Sequence, residues 1–248
     1  MTTIYLASPC NQLQASVLTD MPVLLSFGAW REPISSFAQA FGPLLLDSGA
    51  WSAFNVGMKI DPVEYFEWVS RFTDVDAVAG LDDIGGDWRK SLSNYKYGGF
   101  PTMHNSDPPD LLGELIDISR ERGNWLGIGL VPPRTGKGDF LRRTLERIPD
   151  DIHVHGFALR AYRKTHKFGS IDSTNWWRDS MMYRTKMPWL TPAECLDIVI
   201  KRERREVIEE RNRTDQLSLF TNTKGSSDVL EKEEANVHTD LLGDGQAD

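Results

Sequence analysis

The chain has 248 residues, 40% of them hydrophobic and eight of them tryptophan, which suits one large α/β domain or two modest ones. Its net charge of -8 argues against a protein that grips nucleic acid by bulk charge alone, and it has no run of about 18 apolar residues to make a transmembrane helix. The opening "MTTIYLASPC" lacks the basic stretch of a signal peptide, and the two cysteines, Cys10 and Cys195, imply neither a disulfide framework nor a cysteine-rich zinc site, so a reduced, cytoplasmic protein is expected.

Short apolar runs closed by turn residues recur along the chain. In order they are "TIYLAS", "PVLLSFG", "PLLLDSG", "DAVAGLD", "FPTMHNS", "WLGIGLVPP", "IHVHGFAL" and "GSIDST". Helical periodicity fills several intervals: "DPVEYFEWVSRF" after an Asp-Pro start, "PPDLLGELIDISRERG" ending on Gly, and "GDFLRRTLERIP". Near-continuous apolar strands alternating with helices predict a parallel sheet buried on both faces. Eight such units predict a compact (β/α)8 TIM barrel over residues 1–210, with a doubly wound open sheet as the alternative. "TPAECLDIVIKRERREVIEERNR" reads as a long final helix with one charged side. Residues 211–248 carry four Lys/Arg against eight Asp/Glu and little apolar content, which predicts a disordered acidic tail.

Chemistry in such a barrel gathers at the C-terminal ends of the strands. Asp47 ends the third run, Asp82 and Asp83 the fourth, His104 the fifth and Asp172 the eighth. Any one of these acids could be a turn former or a helix cap. Several converging on one mouth would instead raise one another's pKa, which suits a site that needs one ionised carboxylate and one proton carrier. His104 and His155 have the alternative of being hydrogen-bonded core histidines.

"LLLDSGAW" resembles the Asp-Ser-Gly-Gly-Phe motif of the tRNA-guanine transglycosylases (queuine tRNA-ribosyltransferases). "GLDDIGG", "WLGIGLVPP", "IHVHGFAL" and "GSIDST" are similar to that family's later strand ends, in order, across roughly 43–174. "DSGAWSAF", "HGFAL" and "SIDSTNW" most resemble the phage and bacterial relatives that insert 7-deazaguanines into DNA. The resemblance implies exchange of guanine for a preQ0-like base through a covalent aspartyl-glycosyl intermediate, with Asp172 as nucleophile and Asp47 as general acid/base. It also implies base contacts from Asp82 or Asp83, Ser48, Gly129 and Leu130, with His104 and His155 standing where the family carries other residues. The substrates would be duplex DNA with its guanine flipped out and a 7-deazaguanine base. The family's cysteine-rich zinc site is absent, and no metal or cofactor is expected. A tRNA enzyme, a DNA glycosylase and an inactive base-binding module are the alternatives.

A local basic cluster, "RAYRKTHK", offers Arg160, Arg163, Lys164 and Lys167 for phosphate contact, and "NWWRD" offers Trp176 and Arg178 beside an extruded base. In the tail, "QLSLF" resembles the peptide by which bacterial replication and repair proteins bind the sliding clamp. Leu217, Leu219 and Phe220 would serve an apolar pocket and Gln216 its edge. The alternative is a last hydrophobic turn docking on the barrel.

Overall fold

The computed structural model describes residues 2–9, 12–27, 38–131, 137–164 and 166–206. Two compact units divide the chain, Thr2–Arg204 and the remainder. Of the remainder only 205 and 206 are described, and both are helical. The clamp-like peptide at Gln216, Leu217, Leu219 and Phe220 lies outside the described residues, as does the rest of the predicted tail.

All eight predicted strands form. They are β1 (Thr3–Ala7), β2 (Val23–Ser26), β3 (Leu44–Asp47), β4 (Ala77–Val78), β5 (Thr102–His104), β6 (Trp125–Gly129), β7 (His153–Gly156) and β8 (Ser170–Ser173). Their hydrogen-bonded order is β4-β3-β2-β1-β8-β7-β6-β5, with every pair parallel. A single parallel bridge, Ala79 to Phe100, joins the two ends of that order and completes the circuit of a TIM barrel. Two backbone bonds make this seam: Gly80 N–H donates to Phe100 O and Phe100 N–H to Val78 O, each at 2.8 Å. Gly99 permits the approach, because its φ is +74° and a Cβ there would lie 2.5 Å from Gly80 N. The open doubly wound alternative is thereby set aside.

Alternation along the strands explains why they read as continuous apolar runs. Tyr5, Leu24, Leu45, Ala79 and Phe100 point into the barrel and pack there. Their neighbours Leu6, Val23, Leu25, Leu44 and Leu46 point outward into a second layer against the helices. A further cluster around Leu112, Leu115, Leu126, Ile128 and Ile171 packs the outward side of β6 and β8 against helix residues.

The helices are α1 (Gln12–Ser16), α2 (Ala50–Asn55), α3 (Pro62–Val69), α4 (Trp88–Tyr95), α5 (Leu111–Glu121), α6 (Lys137–Leu145) and α7 (Asn175–Lys186), followed by a helical stretch at 192–204. The Asp-Pro signal starts α3 as read: Asp61 Oδ1 accepts from Val63 N–H at 2.7 Å and from Glu64 N–H at 3.4 Å, with Pro62 in the first turn. No helix among the described residues is long and apolar enough to cross a membrane.

Candidate functional site

β3 ends on Asp47, whose backbone pairs in register with Ser26 of β2. Gly49 N–H donates to Asp47 Oδ2 at 3.0 Å, so the turn into α2 fixes the carboxyl. Asp47 opens on a cavity and is otherwise enclosed by protein. Burial raises its pKa most, followed by the charge of Asp82. The Gly49 N–H opposes this, Asp172 adds to it, and the Ser26 hydroxyl opposes it again; the result is about 7.

His104, at the end of β5, stands between two carboxylates. Its Nε2 lies 2.8 Å from Asp82 Oδ2 and its Nδ1 3.6 Å from Asp107 Oδ2, which also accepts the His104 backbone N–H at 2.7 Å. Burial alone would push this imidazole down. Hydrogen bonds from it to Asp107 and Asp82, together with their charges, outweigh that and hold it protonated up to about 9. Space for the ring comes from Gly129 on the adjacent strand, where a Cβ would lie 2.7 Å from His104 Cδ2.

Asp172, on β8, is 7% exposed. Ala158 N–H donates to its Oδ1 at 2.7 Å. Ala158 holds φ 54°, a left-handed conformation that costs an alanine on the order of 1–3 kcal/mol, so the loop after β7 is strained where it meets this carboxylate. Below, fully buried His155 places Nε2 3.5 Å from Asp172 Oδ1.

Asp47, Asp82, His104, Gly129, Leu130 and Asp172 all line one cavity of about 290 Å³, at the C-terminal ends of the strands. Thr102, Phe157 and Leu24 line it as well, and Trp51 contributes an aromatic wall. No lysine or arginine is among its described lining residues.

Other predicted residues fall elsewhere. Asp83 accepts the Asp87 N–H at 3.1 Å and faces Lys90 at 3.7 Å, outside the cavity lining. Ser48 is 1% exposed and accepts the Ala50 N–H at 3.3 Å, a turn role. Trp176 is fully buried, with its indole N–H donating to Ala7 O at 3.0 Å, so it presents no face to a base. Arg160 pairs at 2.8 Å with the buried Glu203, which also pairs with Arg202 at 2.8 Å. Lys164, Lys167 and Arg178 are exposed and Arg163 half-buried.

Sequence reasoning passed over Asp107, Ser26, Trp51 and the Ala158 N–H. The spacing His104-Asn-Ser-Asp107 was the available signal for the first. A tight turn after a strand returns the side chain three residues on to the strand's last residue.

Among the described residues, no group of three or more His, Cys, Asp or Glu side chains is arranged to hold a metal ion. Both nitrogens of His104 already face carboxylates.

No protein-family profile matches the chain, and no curated protein does. Among solved structures it is similar to a protein described as a fructose-1,6-biphosphate aldolase from Coccidioides immitis. The TM-score is 0.52 at 14% identity, over 81% of this chain and 87% of that one. It is also similar to the YdjI aldolase from Escherichia coli K12, with a TM-score of 0.53 at 10% identity, over 84% of this chain and 90% of that one. These neighbours are aldolases and not transglycosylases, which overturns the resemblance read from the strand-end motifs. With it fall guanine exchange, 7-deazaguanine insertion and DNA modification, and the tRNA, glycosylase and base-binding alternatives fit no better. Short strand-end motifs such as Asp-Ser-Gly follow from barrel geometry, where any apolar strand must turn into a helix. What the chain shares with these two aldolases is the TIM-barrel fold.

Proposed function

We propose that the chain is an enzyme that breaks or forms a carbon–carbon bond by general acid–base chemistry on a small hydroxy-carbonyl compound. One observation carries this reading. Asp47, poised near neutrality, shares a cavity with a protonated Asp82–His104 pair. A base and an acid of separated pKa facing one space are what an aldol-type step requires. Two aldolases of the same fold add support.

In the cleavage direction Asp47, as carboxylate, takes the proton of the hydroxyl β to the carbonyl. The bond between the carbinol carbon and the α-carbon breaks, releasing an aldehyde, and its electron pair moves to the carbonyl oxygen. The Asp82–His104 pair supplies a proton to that oxygen, giving the enol. Asp47 then returns its proton to the α-carbon as the enol proton goes back to Asp82–His104, leaving the second carbonyl product. Asp172 accepts a hydrogen bond from a substrate hydroxyl or ammonium.

The lining also bears on the substrate. Three carboxylates and one imidazolium, with no described lysine or arginine, would repel a phosphate group, so the substrate is uncharged or cationic. No described lining lysine is present to condense with the carbonyl as an imine.

The test is incubation with a panel of unphosphorylated β-hydroxy ketones and aldehydes in heavy water, followed by NMR. Aldehyde release and deuterium at the α-carbon are expected, and both should vanish in Asp47→Asn. A folded wild-type protein that yields neither across the panel refutes the proposal.

A further inference from the structure

Beneath the cavity, polar side chains form a line through an otherwise apolar and aromatic barrel interior. His155 Nδ1 lies 2.9 Å from Ser170 Oγ, and Ser170 Oγ lies 2.8 Å from His153 Nε2. At its upper end His155 Nε2 is buried without a hydrogen-bond partner, and the carboxylate of Asp172 stands 3.5 Å away. A shift of about 0.5 Å would close that gap to a normal N–H···O distance. At its lower end His153, at the start of β7, is half-buried and packs against Trp125, with ring centroids 3.9 Å apart and planes tilted by 32°. Exposed Asp76, which accepts the Tyr5 hydroxyl at 2.8 Å, lies close enough to act on His153 electrostatically. Gly169 makes room for the His153 ring, since a Cβ there would fall 2.6 Å from its Cε1. The line therefore runs from the N-terminal end of the barrel to a carboxylate in the cavity at the other end.

A serine hydroxyl between two imidazoles can donate to only one of them. If His155 carries its proton on Nδ1, its bare Nε2 faces a carboxylate and two lone-pair groups oppose each other. The arrangement that satisfies every group has His153 Nε2–H donating to Ser170 Oγ, Ser170 O–H donating to His155 Nδ1, and His155 Nε2–H directed at Asp172. Burial and the neighbouring His155 push His153 down to about 4, so at neutral pH it carries one ring proton and fits this scheme.

We propose that His153, Ser170 and His155 form a proton relay that exchanges the proton of Asp172 with solvent at the far end of the barrel while substrate fills the mouth. A proton arriving on His153 Nδ1 releases the one on Nε2 to Ser170 Oγ. The serine's own proton passes to His155 Nδ1, and the proton on His155 Nε2 passes to Asp172 Oδ1. One proton has entered and one has been delivered, and every hydrogen bond is re-formed in the opposite sense, with the Asp172 O–H now donating to His155 Nε2. The reverse sequence removes the proton. These are positioning and relay residues, since none of them lines the cavity. Their use rests on the acid–base reading of that cavity, whereas their proton arrangement is measurable without any substrate.

Nitrogen-15 NMR of histidine-labelled full-length protein reads the tautomers. His153 and His155 are both expected as Nε2–H forms. Ser170→Ala should abolish the His155 preference and Ser170→Thr should retain it. His155 found as the Nδ1–H form in the wild type overturns the relay, whether or not the aldol reading holds. His153→Gln guards against loss of folding in the serine variant, because its amide still donates to Ser170 and preserves the His155 tautomer yet cannot pass a proton on. In the same spectra, with a substrate from the panel above in excess, solvent exchange of the His155 Nε2–H should be retained in the wild type and lost in His153→Gln. Unchanged exchange of that proton in a variant with an intact His155 tautomer also overturns the relay.

Discussion

Asp82 and His104 meet at 2.8 Å although they stand on opposite sides of the barrel's weakest join. Asp107 completes a carboxylate–imidazole–carboxylate row, and the row is what keeps a buried imidazole protonated. Asp47 is held near neutrality within the same cavity by burial and by the charge of Asp82. Acid and base are thus tuned by one shared set of charges.

The pH dependence of kcat/KM should be bell-shaped. Activity rises as Asp47 loses its proton near 7 and falls as His104 loses its own near 9. Asp107→Asn removes one of the charges holding His104 up, so the falling limb moves to lower pH while the rising limb stays. A profile in which Asp107→Asn leaves the alkaline limb in place would separate His104 from the reaction.

Folding stability should carry the same signature. His104 is raised from 6.5 to about 9 on folding, so its contribution is fully present below about 6.5 and is lost as pH climbs through about 9. Urea midpoints of the wild type should therefore decline across that window, and Asp107→Asn should decline less steeply. The gap between the two proteins is expected to narrow towards pH 9.5. A gap that stays constant with pH would mean Asp107 acts only through its bond to the His104 backbone.

Two glycine-to-alanine changes should move in opposite directions. At Gly129 a Cβ meets His104 Cδ2 at 2.7 Å and Nε2 at 3.0 Å, so alanine displaces the ring. It should cost about 1–3 kcal/mol as well as activity. At Gly113, in α5, a Cβ meets nothing within 4 Å, and alanine should stabilise by about 0.4–1 kcal/mol with activity unchanged. Thermal unfolding of both variants with activity assays checks the pair; equal shifts would refute the steric account at Gly129.

The strands were legible in the sequence because each is an apolar run ended by a turn residue, and the Asp61–Pro62 start because capping is local. Sharing of one cavity by Asp47, Asp82, His104 and Asp172 follows from their common position at strand ends. Asp107 was not legible, since its effect depends on a turn that brings it back to the ring above it. Trp176 looked available for stacking because its spacing from Asp172 carries no sign of whether a side chain points in or out; it points in. Relatedness was the least legible of all, because motifs that any barrel needs at its strand ends say little about what reacts there.

The barrel's circuit is joined between its fourth and fifth strands by one bridge and two backbone bonds. Asp82 lies just past the fourth strand and His104 ends the fifth, one on each side of that seam, so their contact works as a clasp across it. Neutralising the imidazole loosens the clasp where the ring has least else to hold it, and the chemistry's protonation state becomes a condition for the wall staying shut.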